Sequence, residues 1–228
     1  MICWSCERTP GTGPVCEHCG AIQPPDGAVD RFHVLGLSAA FDVDVAAAEA
    51  TFRELSRRFH PDRFATADPR ARRASLQRSV QLNEAWSTVK DPVRRAEYLL
   101  HLHGYEVGAE QGASAPPSGA GGERRRIPVP AALLGEILEL REELSEARAV
   151  GDDMRVQAMA TAVRDRSEQA LARAAAAIAH ARQSEATRDD DLTVAARELI
   201  SIRYFRRFLE EVALHETGAA AGAGGSGA

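Results

Sequence analysis

Between residues 45 and 59 the apolar side chains Val45, Ala48, Phe52, Leu55 and Phe59 recur at steps of three and four. That spacing puts them on one stripe of a helix that Asp44 can cap. Pro61 ends the helix, because proline has no amide donor and drives His60 out of the α region, so the chain must turn at residues 60–62. Asp68-Pro69 and Asp91-Pro92 each set a good cap before a proline at the first helical position, so two more helices begin there, and Gly104 can end the second. Leu76, Val80, Trp86 and Val89 are expected to supply the facing apolar side. The pattern predicts two antiparallel helices joined by an exposed loop, with a short helix at each end.

Helical periodicity returns after Pro128 and Pro130. Leu133, Ile137, Leu140, Leu144 and Ala147 line one side of a long helix, and Leu134 and Leu138 form a second row beside Glu139 and Glu142. That second row is either the edge of a broad core stripe or an apolar strip reaching into solvent. Helices over about 153–182 and 190–215 then bring Val163, Ala170, Ala174 and Ile178 against Leu199, Ile202, Leu209 and Val212. Three such helices make a small bundle. Between the two helical regions, residues 108–122 are mostly Gly, Ala, Ser and Pro with almost no large apolar side chain, and the last dozen residues are low-complexity. The expected organisation is a cysteine-bearing segment at 1–26, a helical hairpin domain at 27–104, a flexible linker at 105–128, a three-helix bundle at 129–216 and a disordered tail at 217–228. No internal repeat is present.

Composition agrees with an all-α fold: 44% of the 228 residues are hydrophobic but only 5% aromatic, and alanine is abundant. A net charge of -5 argues against a nucleic-acid binder, whose footprint is strongly basic. No apolar run approaches the length of about 20 residues that a bilayer demands, so no membrane span is expected. The chain enters its first structured feature directly at Cys3 with no leader-like stretch before it, which predicts a cytoplasmic protein.

All four cysteines precede residue 20, as Cys3-x-x-Cys6 and Cys16-x-x-Cys19. Two such pairs supply the four thiolates that tetrahedral Zn2+ needs, each pair bracketing one side of the ion. Gly20 suits a tight knuckle after Cys19, whereas Glu7 stands where a glycine would follow Cys6. The alternative, a thioredoxin-like redox pair, lacks the strand-to-helix context such a pair has. A four-thiolate site is closed to substrate water, so one structural zinc per chain is expected, with no catalysis at the metal and His18 left as a surface residue.

A rigid His60-Pro61-Asp62 turn between antiparallel helices holds an imidazole and a carboxylate out in solvent. As isolated residues they are incidental loop polars, or an acid-base dyad that no nucleophile or oxyanion site accompanies. The surroundings narrow this. A helix ending RRFHPDRF and followed by LNEAWSTVKDPVRRAEYLL resembles the J-domain over residues 31–104. The resemblance implies that His60, Pro61 and Asp62 contact the ATPase and linker of a DnaK-type chaperone, with Arg53 and Arg57 on the basic face of the helix before them. The plain alternative for that arginine pair is a solvated helix surface.

The segment ALLGEILELREELSEA resembles the start of the C-terminal domain of HscB co-chaperones, and RYFRRFLEE resembles its last helix more loosely. A four-cysteine module ahead of such a chain resembles the form of this co-chaperone found in eukaryotes and some bacteria. The resemblance implies a non-enzymatic adaptor that stimulates a DnaK/HscA-type ATPase and brings it the IscU-like iron-sulfur scaffold protein. Leu134, Leu138, Glu139, Glu142 and Phe205 fall at its scaffold-contact positions, although Phe205 also sits in the core register with Ile202 and Leu209. Gly135 departs from the family, which tends to place a larger apolar residue there. Two other readings stay open: a J-domain co-chaperone for a different client, and a zinc-dependent nucleic-acid-binding regulator.

Overall fold

The computed structural model describes residues 2–107 and 124–223, with side chains as far as Leu214. The Gly/Ala/Pro-rich stretch at 108–123 and the last five residues lie outside the described residues. The chain forms seven helices and one two-stranded contact among the described residues, in the order α1 (Arg31–Val34), α2 (Val45–Phe59), a 3-10 turn (Pro61–Phe64), α3 (Pro69–Lys90), α4 (Pro92–Leu102), β1 (Tyr105–Glu106), β2 (Arg125–Arg126), α5 (Ala131–Ala149), α6 (Asp153–Ala181) and α7 (Arg188–Ala223). The all-α expectation holds. The chain divides into two compact units, one of residues 1–95 and the other from Ala96 onward.

In the first unit each helix begins where an aspartate can bind orphan amides. Asp44 accepts from Ala47 N–H, Asp68 from Arg70 N–H, and Asp91 from Val93 and Arg94 N–H, at 2.7–3.0 Å. The helix α2 stops at Phe59, immediately before His60-Pro61. Its side chains Ala48 and Phe59 meet Ala71, Ala74, Leu82, Ala85 and Val89 of α3 in the buried set of this unit, together with Phe32 and Leu35 from the α1 region. Phe52 stacks on Trp86 with ring centroids 5.3 Å apart. Arg95 is also buried: it donates to the carbonyls of Val89 and Phe41 at 2.8 Å, and burial holds its pKa below the usual arginine value against the nearby Asp91 and Asp42.

The apolar face of α3 differs from expectation. Leu76 and Val80 are 57% and 50% exposed, while Ala71, Ala74, Ser75 and Ala85 face inward. Small residues let the two antiparallel helices approach closely, so the buried stripe follows volume at the contact rather than side-chain hydrophobicity.

In the second unit, Leu99 and Leu100 of α4 are buried, and the chain reverses at Gly104, whose φ of 82° belongs to the left-handed region. The expected linker at 105–128 is anchored at both ends. β1 and β2 pair in parallel, Tyr105 opposite Arg125, and Tyr105, Val107 and Ile127 are buried. The Tyr105 hydroxyl donates to the Asp189 carbonyl at 3.1 Å, and Arg203 Nε donates to Glu97 at 2.8 Å, tying α7 to α4 within this unit. The bundle core holds Leu133, Ile137 and Leu144 of α5, Val163, Ala170, Ala174 and Ile178 of α6, and Leu199, Ile202, Phe205, Phe208 and Val212 of α7. The last helix runs past His215 to Ala223, into the sequence expected to be tail, because the alanines there favour helix enough to prolong a helix already nucleated.

Candidate functional site

The turn after α2 presents its polar groups outward. The side chains of His60 and Asp62 are 57% and 90% exposed. Asp62 N–H donates to His60 Nδ1 at 3.3 Å, which holds the ring against its own turn. Pro61 opens the 3-10 turn and pins its backbone. Behind it, the carbonyl of Phe59 accepts hydrogen bonds from Ser75 and Ser79 of α3 at 2.8 and 3.1 Å, closing the end of α2 onto the facing helix. Arg53 and Arg57 lie one turn apart on the exposed side of α2. Arg53 pairs with Glu49, whereas Arg57 has no carboxylate partner among the described residues.

The four cysteines converge. Their sulfurs all lie within 4.8 Å of one another, with Cys3–Cys19 and Cys6–Cys16 at 3.7 Å. A tetrahedron with Zn–S bonds of about 2.3 Å has edges of about 3.8 Å, so this donor set fits a tetrahedral thiolate-bound ion. The two knuckles repeat one geometry: Glu7 N–H donates to the Cys3 carbonyl and Gly20 N–H to the Cys16 carbonyl. Both residues adopt positive φ, 60° for Glu7 and 73° for Gly20, so a glutamate occupies a left-handed position made for glycine. Burial raises the Cys3 thiol, but the amides of Cys6 and Ser5 and the neighbouring sulfurs of Cys16 and Cys19 outweigh it and bring its pKa down to about 6. At Cys6 the Arg8 amide pulls down, but burial and the sulfurs of Cys19, Cys16 and Cys3 push the thiol up to about 12, so the close sulfurs share their protons unequally. His18 lies exposed and outside the cluster.

On α5, Leu134 and Leu138 stand 42% and 60% exposed, with Glu139 and Glu142 exposed beside them. Neither glutamate has a cationic partner among the described residues. The strip is therefore apolar and acidic, on the side away from Leu133, Ile137 and Leu144. A β-carbon added at Gly135 would meet nothing within 4 Å, so the helix surface is open there. Phe205 does not join this face: it is 5% exposed and packs in the bundle core, in register with Ile202 and Phe208.

Residues that link the cysteine module to the helical hairpin escaped the sequence reading. Arg78 of α3 donates to the carbonyls of Gln23 and Pro24 at 2.6 and 3.1 Å, and Arg70 donates to the Trp4 carbonyl at 3.3 Å. Burial holds the Arg78 guanidinium below its ordinary pKa. No periodicity or spacing marks such pairs, which lie more than 50 positions apart and meet only in the folded unit.

Together these features define an all-α chain: a helical hairpin with an exposed His-Pro-Asp turn, a helical bundle, and a four-cysteine cluster able to hold a metal ion. The family model described as HSCB C-terminal oligomerisation domain matches residues 129–213. Co-chaperone protein HscB homologs from two strains of Vibrio cholerae serotype O1 are 41% identical over 124 residues, 54% of this chain. The matched stretch spans 64% of their own length. The crystal structure of human co-chaperone protein HscB superposes with a TM-score of 0.75 at 25% identity, covering 95% of this chain and 98% of that one. The chaperone HscB from Vibrio cholerae gives 0.64 at 30% identity, covering 84% and 99%. The chain belongs to the HscB co-chaperone family.

Proposed function

We propose that this protein is a cytoplasmic, non-catalytic adaptor that stimulates the ATPase of a DnaK/HscA-type chaperone and delivers to it an IscU-like iron-sulfur scaffold protein. The observation that carries the proposal is the His60-Pro61-Asp62 turn. Its imidazole and carboxylate are solvent-facing and held by short-range contacts, a form suited to docking on another protein, and among the described residues no nucleophile accompanies them for chemistry. Arg53 and Arg57 add a basic approach to that turn. Leu134, Leu138, Glu139 and Glu142 supply the client face, an apolar strip with acidic flanks suited to a partner bearing apolar and basic groups. Phe205 contributes as core packing of the bundle. One Zn2+, held by Cys3, Cys6, Cys16 and Cys19, orders the N-terminal module. A different client remains the second reading, favoured by the open surface at Gly135 and the burial of Phe205, both of which make the strip smaller than the resemblance implies.

The test is the ATPase rate of the cognate DnaK-like chaperone with and without the purified chain. The wild type raises the rate, and His60→Gln abolishes the increase while the helical circular dichroism stays unchanged. A normal response from His60→Gln removes the J-domain mechanism. Retention of a tagged scaffold protein by the same preparation separates the first reading from the second.

A further inference from the structure

The module carrying the cysteines is too small to order itself by burial. Of its side chains at 2–26, Cys3, Pro10, Cys16, Ile22 and Gln23 are buried, and its fold is a pair of turns joined by one isolated bridge between Val15 and Ile22. One of those buried groups connects two places. The Gln23 side-chain amide donates to Cys3 Sγ at 3.3 Å, while its own N–H donates to the Pro14 carbonyl and its carbonyl accepts from Arg78 Nε at 2.6 Å. Gln23 therefore joins a metal-ligating sulfur to α3. From there the path is short: the Arg78 guanidinium lies 5.9 Å from the centroid of the Phe59 ring.

Phe59 is the residue before the His-Pro-Asp turn. Its ring sits in an apolar cluster with Ile22, Ala71 and Ala74, against which Trp4 and Val15 of the module and Phe64 also pack. The module thus supports the turn from both sides in sequence, through Phe59 before it and through the cluster that receives Phe64 after it. The hairpin does not fill this region alone. A cavity of about 390 Å³ opens beside the ring, lined by Leu55, Phe59 and Leu82 on one wall and by Thr12 and Pro14 of the module on another.

We infer that the four-cysteine module is a brace for the His60-Pro61-Asp62 turn, with Gln23 and Arg78 as positioning residues that carry metal occupancy into the geometry of the turn. Metal bound by the four thiolates orders Cys3; ordered Cys3 and Gln23 hold Arg78, and Arg78 with Ile22 and Trp4 holds Phe59. Loss of the ion releases the cross-link of the module and lets the end of α2 fray. The inference makes metal occupancy a control on docking to the chaperone, and in that consequence alone it rests on the co-chaperone reading.

The test is amide hydrogen exchange by mass spectrometry on the full chain, zinc-loaded and after chelation, alongside zinc-loaded Arg78→Ala and Gln23→Ala with metal content measured on each. Exchange at residues 57–66 rises about tenfold on chelation, a difference of about 1.4 kcal/mol in opening free energy. Arg78→Ala gives a rise of the same order with zinc retained, and peptides from α5 stay unchanged in every sample. Unchanged exchange at 57–66 on chelation overturns the brace. So does a uniform rise through α1, α2 and α3, since the ion would then hold the whole unit and not the turn. Wild-type protection in loaded Arg78→Ala removes that residue from the path and overturns the route proposed. In the ATPase assay the half-saturating concentration of the chain rises only by the factor by which the fraction of chains holding the turn in its docking geometry falls, and maximal stimulation stays intact. A chain that stimulates no DnaK-type ATPase, loaded or stripped, refutes the co-chaperone reading and leaves the exchange measurement to decide the brace.

Discussion

Truncating Leu138 separates the work a side chain does in its own fold from the work it does for a partner. Leu138 is 60% exposed, whereas Leu144 on the same helix is 1% exposed. Full burial of a leucine side chain is worth about 1.5–3 kcal/mol, so folding captures roughly two fifths of that at Leu138, about 0.6–1.2 kcal/mol. A docked partner that covers the rest gains about 0.9–1.8 kcal/mol, and Leu138→Ala forfeits it as an affinity loss of about five- to twentyfold. Leu144→Ala costs about 2–5 kcal/mol of stability through lost transfer energy and the cavity left behind. It leaves the strip untouched. The assay pairs calorimetric titration of IscU-like scaffold protein into each variant with thermal unfolding of the same sample. Leu138→Ala is expected to weaken binding with a small change in melting temperature, and Leu144→Ala to do the reverse while it remains folded. Wild-type affinity in Leu138→Ala refutes the assignment of this strip to the client, whatever the melting result. An affinity loss in Leu144→Ala as large as that in Leu138→Ala refutes the separation of the two faces.

Three further outcomes are expected. Metal analysis of the purified chain gives about one zinc per chain, and Cys3→Ser/Cys6→Ser loses it together with order in the N-terminal module; iron, or reactive thiols without metal, contradicts this. Glu7→Gly relieves a left-handed residue that costs about 1–2 kcal/mol and adds back a smaller glycine entropy cost, so the variant holds zinc against chelator longer than wild type; faster zinc release argues that the glutamate side chain has a role of its own. At the start of α7 the Asp191 carboxylate accepts from His180 Nδ1 at 2.7 Å and from Thr187 Oγ1 at 2.8 Å, and these hydrogen bonds, the first foremost, lower its pKa. A carboxyl depressed in the folded state stabilises in full above its unfolded pKa of about 3.9 and loses that contribution as pH falls through the lower folded value. Asp191→Asn should therefore lower the melting temperature at pH 6 and converge with wild type in acid, and a constant difference across the titration would disprove the linkage.

Local chemistry was enough to read most of the element boundaries. Asp44, Asp68-Pro69 and Asp91-Pro92 set helix starts, Pro61 and Gly104 set stops, and the Cys-x-x-Cys pairs announced a cluster, because each effect acts within a few residues of the group that causes it. Helical spacing placed Leu134 and Leu138 one step off the core stripe and left core edge or solvent open, and the folded bundle exposes both. Tertiary structure decided what depends on volumes and partners distant in sequence. Leu76 and Val80 looked like core and are exposed, since close packing of α2 on α3 selects small side chains at the contact. Spacing puts Phe205 in the core register, the family resemblance puts it at a scaffold contact, and the bundle takes it inward. Tyr105 and Ile127 sit within a stretch that composition marks as linker, yet both are buried once Tyr105 reaches Asp189 on α7. The path from Cys3 through Gln23 and Arg78 to Phe59 is the clearest case. A hydrogen bond between groups more than 50 positions apart leaves no periodic trace in a chain, and only folding brings its donor to its acceptor.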